Sequence, residues 1–222
     1  MTIAIIFENK DFCIADKPPG LLSVPSRKGT LDERPVLGTL LEKQMKHRVW
    51  PCHRLDLEVS GLVMFALNPE AHSSANKWFE DRSIKKAYQA LSEYGATPPS
   101  TETVFWRSKL MRGKKRAYEA AFGKESKTEA RCLGVYPHDN QKYLAWKLTP
   151  HTGRPHQLRY EMAKNVGPIL GDSLYGSKTS HFHDGIALVA VSLDFTACSS
   201  AEKFGLPPLV YLNSERCFAP IR

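Results

Sequence analysis

The sequence predicts an α+β fold in which a mainly antiparallel, mixed sheet is flanked by helices. Segments with strand-like alternation predominate, helical periodicities are few, and no regular βαβ repeat is present. The chain has 222 residues, of which 42% are hydrophobic and 24% charged, so it can bury a sizeable core. No linker rich in Pro, Gly or Ser divides it. We therefore predict a single domain over residues 1–222, in which residues 95–135 could form a lobe.

The N-terminal half begins with a predicted β-hairpin. Two apolar runs, residues 3–7 and 12–15, flank the polar segment ENKD. A helix is predicted over residues 39–49. A second helix has a clear start, because Asn68 can cap it and Pro69 suits the first helical position. Apolar residues then recur at helical spacing, which predicts that the helix packs through Ala71, Ala75, Trp78 and Phe79.

The C-terminal half is predicted to be richer in strands. Residues 86–94 and 142–150 alternate with a period of two, and residues 186–195 form an apolar run typical of a buried strand. Between them, residues 154–167 predict a helix that ends at Gly167.

The positive charge of the chain is concentrated in one segment. The formal net charge is +8, and residues 107–127 contribute +6 of it through eight Lys/Arg and two Glu. Such a run is compatible with a solvated loop. It is equally compatible with an electrostatic footprint for a polyanion, most plausibly a nucleic acid. Charge alone does not separate these two interpretations.

Several protein classes are disfavoured by missing motifs. Neither GxGxxG nor GxxxxGK[ST] occurs, and HRLDL differs from a kinase HRDL loop by an extra leucine. Nothing approaches the roughly 18 apolar residues of a membrane span. The five cysteines are scattered, with no CxxC pair, which indicates a reducing cytoplasm. The histidines of HFHDG (181–185) have no evident further ligands, so we expect a surface loop and no metal site.

Four segments, in order, carry a family resemblance. They are HRLDLEVSGLVMFAL (53–67), KKAYQA (85–90), HTGRPHQLRYEMA (151–163) and GPILGDSLYG (167–176). Together with the earlier KPPG they resemble the RluA-type family of RNA pseudouridine synthases over about residues 3 to 195. The resemblance implies a pseudouridine-synthase-like sheet with a central catalytic cleft. It also implies RNA as the partner and an isomerisation that needs no cofactor or metal.

Three catalytic residues follow from this resemblance. Asp56 matches the family's essential aspartate, which can act covalently or as a base. Arg159 matches the arginine that pairs with this aspartate and keeps it ionised. Tyr88 matches the tyrosine that stacks on the uracil and is implicated in the later proton removal. The structural alternatives are a buried salt bridge for Asp56 and a core aromatic for Tyr88.

A further group of residues is predicted to bind RNA. Arg54 matches a residue implicated in flipping the base or filling the gap it leaves, with a phosphate contact as the alternative. RNA contact or scaffolding of the site is expected for His53, Arg154, His156 and Gln157. The remaining predicted RNA contacts are basic side chains, namely Lys86, Arg112, Lys114, Lys115 and Arg116.

The sequence departs from the family pattern at three positions. Val59 replaces a threonine, Glu161 a histidine, and Val189 a residue that is often histidine. Glu161 would place a negative charge at a position where a neutral or positive side chain could contact RNA. These departures keep open a non-catalytic RNA-binding or RNA-folding protein on the same scaffold, and more remotely an Asp/His hydrolase.

The resemblance also bears on the kind of substrate. Asp56 comes so early that we expect no separate N-terminal RNA-binding domain. Compact relatives of this kind act on stem-loops of ribosomal RNA or tRNA. We therefore expect a monomer that recognises such an RNA through its catalytic domain.

Overall fold

The computed structural model describes residues 1–26, 29–94, 100–213 and 216–218. The strands are β1 Ala4–Glu8, β2 Phe12–Lys17, β3 Trp50–Pro51, β4 Ser60–Ala66, β5 Lys85–Glu93, β6 Thr103–Arg112, β7 Ala117–Glu119, β8 Lys124–His138, β9 Gln141–Pro150, β10 Leu188–Asp194 and β11 Leu209–Tyr211. The α-helices are α1 Leu37–Met45, α2 Pro69–Glu80 and α3 Gln157–Asn165. The chain divides into two compact units, residues 1–85 with 190–213 and residues 86–189 with 214–222. The single domain over residues 1–222 stays a prediction.

The sheet of the first unit is built on the predicted hairpin. Strands β1 and β2 pair antiparallel, as the two apolar runs indicate, and β2 continues to Lys17. Strand β4 pairs antiparallel with β2, and the strand order continues to β10. The short strands β3 and β11 pair with β4 and β10 respectively. Every residue of β4 is buried, so this strand forms the centre of the unit.

Helix α2 begins where its sequence signals place it. The Asn68 side chain accepts a hydrogen bond from the Ala71 N–H at 2.9 Å, and Pro69 is the first helical residue. Ala71, Ala75 and Trp78 are buried, as predicted, and the Trp78 ring packs against Phe12. Phe79 is only half-buried.

Helix α1 differs from its prediction at both ends. It covers residues 37–45, whereas the sequence predicts residues 39–49. It ends early because Lys46 adopts a left-handed conformation with φ 53°, which breaks the helical hydrogen-bond pattern.

The second unit contains an antiparallel sheet in the order β5-β9-β8-β6-β7. Strands β5 and β9 match the strands predicted over 86–94 and 142–150. The Trp106 and Trp146 rings lie 5.9 Å apart in its core, and the Trp146 indole donates to Ser92 Oγ at 3.0 Å. Residues 95–99, the start of the lobe suggested for 95–135, lie outside the described residues.

The basic segment 107–127 is not a solvated loop. It forms most of β6, all of β7 and the start of β8, which pair antiparallel. Along β6, Trp106, Ser108 and Leu110 are buried while Arg107 and Lys109 are exposed. The segment is therefore sheet with one charged face.

Helix α3 lies within the predicted segment 154–167 but is shorter. It starts at Gln157, after His156 in the left-handed region at φ 53°. Gly167, at φ 132°, follows its C-terminus and donates its N–H to Met162 O. The expected surface loop at 181–185 is free of helix and strand. Among the described residues no helix is long and apolar enough to cross a membrane. The predicted α+β fold with a mainly antiparallel sheet is confirmed.

Candidate active site and RNA-binding surface

Asp56 lies in the turn that leads into the buried strand β4. Its side chain is half-buried, and its carbonyl accepts the Val59 N–H at 3.2 Å. The preceding residue, Leu55, is buried, and its N–H and carbonyl both bond to Ser23 Oγ at 3.0 Å. The backbone on both sides of Asp56 is thereby fixed, so its carboxyl group is presented from a rigid turn.

A buried lysine holds the same turn from the KPPG segment. Lys17 is fully buried, and its ammonium group donates to the carbonyl oxygens of Pro18, Leu21 and Leu57 at 3.0, 3.0 and 3.2 Å. Leu57 O also accepts the Gly20 N–H at 2.8 Å. An ammonium group has three donors, and here three carbonyls receive them. KPPG belongs to the family resemblance, but its sequence alone does not predict this positioning role for Lys17.

His53 and Arg54, which precede Asp56, lie in different environments. His53 Nε2 accepts the N–H of Met64 on β4 at 3.1 Å, and its ring centroid lies 4.8 Å from that of Phe79. This arrangement supports the scaffolding alternative for His53. Arg54 is exposed, which leaves its guanidinium accessible to RNA.

Tyr88 and Lys86 lie near the start of β5. Tyr88 pairs with Leu148 of β9 and is buried. Lys86 is half-buried, and burial lowers the pKa of its ammonium group below its ordinary value. Both positions are compatible with a substrate-facing role, which stays a prediction.

Arg159 on α3 forms a buried ion pair that the sequence did not predict. Its Nε and Nη2 donate to Asp172 Oδ2 and Oδ1 at 2.7 and 2.8 Å, and both side chains are at most 2% exposed. The bidentate geometry fixes the plane of the guanidinium group. The Arg159 Cζ also lies 5.4 Å from the ring centroid of Tyr175. Asp172 and Tyr175 belong to the GDSLYG motif, but nothing in their spacing identifies Arg159 as their neighbour.

Gln157 acts as a scaffold within the second unit. It is buried, and its amide oxygen accepts from Thr152 Oγ1 at 2.7 Å and from the Arg154 N–H at 3.1 Å. Its amide nitrogen donates to Lys127 O and Thr128 Oγ1. The amide is therefore fully occupied, which supports scaffolding and not RNA contact.

Arg154 and His156 flank the start of α3. Arg154 is half-buried and donates from Nε to Glu125 O at 3.0 Å. His156 Nδ1 lies 3.3 Å from the Tyr175 hydroxyl. These bonds do not test the RNA contacts expected of the two residues, which stay predictions.

Glu161 does not place a charge at the surface. The side chain is fully buried, Oε1 lies 2.6 Å from Ser126 Oγ, and burial raises the pKa of its carboxyl group. The expectation that Glu161 would face RNA is wrong, because α3 turns this residue towards β8. Val59 and Val189 are buried as well. The three departures from the family pattern therefore lie in the core.

The hairpin that joins β6 to β7 carries the most concentrated basic surface of the segment 107–127. The Gly113 N–H donates to Arg116 O at 3.0 Å and closes the hairpin turn. The basic side chains of this turn are all exposed: Arg112, Lys114, Lys115 and Arg116. This placement favours the polyanion interpretation of the charge.

The three predicted catalytic residues are distributed over both units. Asp56 belongs to the first unit, and Tyr88 and Arg159 belong to the second. The pairing of Asp56 with Arg159 and the stacking of Tyr88 on uracil stay predictions.

Comparisons with known proteins identify the family. A family model described as RNA pseudouridylate synthase matches residues 11–164. An uncharacterized RNA pseudouridine synthase of Haemophilus influenzae is 31% identical over 95% of this chain and 94% of that protein. A dual-specificity RNA pseudouridine synthase RluA of the same organism is 32% identical over 77% and 76% of the two chains.

A solved structure agrees with this at the level of the fold. The human RNA pseudouridylate synthase domain containing 1 superimposes with a TM-score of 0.72 and 23% identity, covering 96% of this chain and 91% of that one. The family match and the relatives show that this chain belongs to the RluA-type family of RNA pseudouridine synthases, which are isomerases.

Proposed function

We propose that this chain converts uridine to pseudouridine in a stem-loop of ribosomal RNA or tRNA, with Asp56 as the reactive carboxylate. The observation that carries the proposal is the rigid turn that presents Asp56, held by Lys17, Gly20 and Ser23. A carboxylate needs such positioning to act on one atom of a bound nucleotide. The tRNA assignment is also supported by a tRNA pseudouridine synthase C of Pasteurella multocida, 31% identical over 79% of this chain and 75% of that protein.

The reaction breaks the bond between ribose C1′ and uracil N1 and forms one between C1′ and C5. The proton on C5 is lost and N1 gains a proton, so atoms balance without an oxidant or reductant. Asp56 can serve this rearrangement by attack at C1′, by addition to C6, or by removal of the 2′ proton. Tyr88 stacks on the uracil and assists the removal of the C5 proton, and Arg159 holds Asp56 ionised.

The target base must leave its stack to reach Asp56, and Arg54 assists this step. Flipping costs a few kcal/mol, least for bases that are already unpaired. The basic hairpin 112–116 contributes phosphate contacts that offset this cost. We further propose that the enzyme acts as a cytoplasmic monomer, in line with its five scattered cysteines, which form no CxxC pair in the sequence.

Release of tritium from RNA labelled at uracil C5 tests the proposal. Wild-type protein is expected to release tritium, and Asp56→Asn is expected to lose at least about 10³-fold in rate, because the nucleophile or base is removed. Asp139→Asn is the matched control, since Asp139 is 91% exposed outside the site.

Equal release by wild type and Asp56→Asn would refute the role of Asp56. Free uracil among the products would indicate hydrolysis, and binding without any release would indicate a non-catalytic RNA-binding protein. Mapping of pseudouridines across the transcriptome with and without the gene would identify the RNA and the uridine.

A further inference from the structure

An open pocket in the second unit lies beside the basic hairpin. It has a volume of about 340 Å³. This is at the lower end of the roughly 300–1,000 Å³ typical of sites for small ligands, so it suits a single nucleotide better than a double helix. The aromatic and cationic residues that line it are Arg116, Tyr118, Tyr160, Lys164 and Tyr175.

The aromatic walls come from three different elements. Tyr118 is on β7 and is 44% exposed, so its ring is open to a ligand. Tyr160 is on α3, and its ring meets the ring of Tyr175 edge to face, with centroids 6.5 Å apart. Gly113 allows the hairpin turn beside this pocket to close, because a Cβ at that position would lie 2.6 Å from Arg116 O; it would also lie 3.3 Å from Tyr118 Cδ1. The face of a nucleobase can stack on such rings whatever its sequence.

The polar groups of the pocket favour an anion at one edge only. Arg116 is exposed at the rim, and a guanidinium fork matches phosphate oxygens. Lys164 donates to Glu119 at 2.8 Å, and the Tyr160 hydroxyl donates to the same carboxylate at 3.2 Å. Because Glu119 offsets Lys164, a phosphate is better placed at Arg116.

Tyr175 connects the pocket to the predicted catalytic arginine. Its hydroxyl accepts the Ala117 N–H at 2.8 Å, which ties the start of β7 to the pocket floor. Its ring lies 5.4 Å from the Cζ of Arg159. A ligand in the pocket is thus separated from Arg159 by one aromatic ring.

We propose that this pocket binds one unpaired nucleotide of the substrate RNA near the target uridine, with its base against Tyr118 and Tyr160 and its phosphate at Arg116. The proposal rests on the proposed RNA substrate and extends it to substrate selection. RNAs whose stem-loop presents a second unpaired nucleotide would be preferred over RNAs that present only the target uridine.

Photo-crosslinking tests the contact independently of catalysis. The probe is cellular RNA partly substituted with 4-thiouridine, bound to the full chain, irradiated and digested with nuclease and trypsin. Cleavage after Arg116 and Lys124 releases residues 117–124, which contain Tyr118. We expect a nucleotide adduct on this peptide that is not removed by an excess of uridine monophosphate or polyglutamate.

Adducts only on other peptides would overturn the proposal, as would competition by uridine monophosphate, which indicates a free-nucleotide site. Competition by polyglutamate would overturn it too, since it indicates a site for acidic protein.

Steady-state kinetics of tritium release test the energetic role. Tyr118→Ala is expected to raise KM on the order of tenfold at unchanged kcat, as the loss of one base–aromatic stack predicts. Tyr118→Phe keeps the stacking face and should stay within twofold of wild type. Tyr211→Ala is the control, because Tyr211 is an exposed tyrosine of the first unit.

The two proposals fail in different ways. A KM for Tyr118→Ala within twofold of wild type overturns the pocket while leaving the pseudouridine synthase activity established. A wild-type protein that forms no pseudouridine in any RNA overturns the proposed function, and an adduct on residues 117–124 would then still support the pocket.

Discussion

At the scale of single residues, the ion pair between Arg159 and Asp172 is the most consequential feature that the sequence did not predict. The resemblance implies that Arg159 pairs with Asp56, which stays a prediction, and it does not indicate a second carboxylate beside Arg159. The Asp172 carboxylate receives both arms of the guanidinium group and is only 1% exposed. No local rule predicts this contact, because Asp172 lies beyond the end of α3. Asp172 is therefore a positioning residue for Arg159.

Asp172→Asn is expected to lower the free energy of unfolding by about 3–5 kcal/mol, the usual cost of breaking a buried ion pair on one side. The substitution removes the negative charge that receives both arms of the buried Arg159 guanidinium group. Urea denaturation of the full chain measures this change. A second variant carrying both Arg159→Met and Asp172→Leu should recover much of the loss, since it buries no charge. A loss below about 1 kcal/mol for Asp172→Asn would contradict the assignment of a stabilising buried ion pair, because ion pairs exposed to solvent contribute only about that much to stability.

Other residues show what kind of role a sequence can predict. Asn68 was predicted correctly because a helix cap involves only neighbouring residues. For Gln157 the sequence left RNA contact and scaffolding open, and for Glu161 the expected surface position was wrong, because both roles depend on which side of α3 faces the sheet. Their buried contacts with β8, such as that of Glu161 with Ser126, connect residues far apart in the chain. A motif indicates that such residues matter, but only the packed structure shows whether a side chain is a buried scaffold or is exposed to RNA.

At the scale of elements, α3 is joined to the sheet through a buried polar contact. Ser126 Oγ on β8 lies 3.0 Å from Ser108 O on β6 and 2.6 Å from Glu161 Oε1. One hydroxyl proton cannot serve both acceptors. A protonated Glu161 resolves this conflict, because it donates to Ser126 while Ser126 donates to Ser108. This agrees with the raised pKa of Glu161, which burial causes.

This contact predicts a pH dependence of stability. Since the folded-state pKa of Glu161 lies above the ordinary value of 4.5, the folded protein keeps its proton after the unfolded chain has lost it. The stabilisation that Glu161 contributes to the folded state is therefore complete below pH 4.5. It is lost as the pH rises from 4.5 through the raised pKa. Glu161→Gln stays neutral, so its stability relative to wild type should increase over that window. The increase is about 1.4 kcal/mol for each unit by which the pKa is raised.

Urea denaturation over a series of pH values measures this difference. Glu125→Gln is the control, since Glu125 is an exposed residue of the same strand, β8, and should show no such window. A stability difference between Glu161→Gln and wild type that is constant with pH would contradict the assignment of a buried, protonated Glu161.

The elements themselves were predictable to the extent that their patterns are local. The hairpin of β1 and β2 follows from two apolar runs around a polar segment, and the strands β5 and β9 follow from alternation. Strand β6 has the same alternation, with Trp106, Ser108 and Leu110 buried. Its exposed positions carry Arg107 and Lys109, so the outward face of the strand is charged while the inward face follows the period of two.

At the scale of the whole molecule, charge is distributed in a way that bears on RNA binding. Six of the eight net positive charges come from residues 107–127, and the structure arranges them on strands and on one hairpin turn. The sequence predicted the amount of charge, but not that Arg112, Lys114 and Lys115 share one turn. Clustering matters because each phosphate that is neutralised releases a counterion.

The salt dependence of RNA binding should therefore depend on this hairpin turn more than on net charge. The triple variant Arg112→Gln, Lys114→Gln and Lys115→Gln is expected to reduce the slope of log Kd against log salt by about 2 to 3, at about 0.7–0.9 for each phosphate that is no longer neutralised. Fluorescence anisotropy with labelled total tRNA measures it. The control removes the same charge from exposed lysines of the first unit, as Lys43→Gln, Lys46→Gln and Lys77→Gln. Only the hairpin variant should show the smaller slope, since the three control lysines are not proposed to bind phosphates. An equal reduction in both variants would assign the effect to net charge, and an unchanged slope in the hairpin variant would place the RNA elsewhere on the molecule.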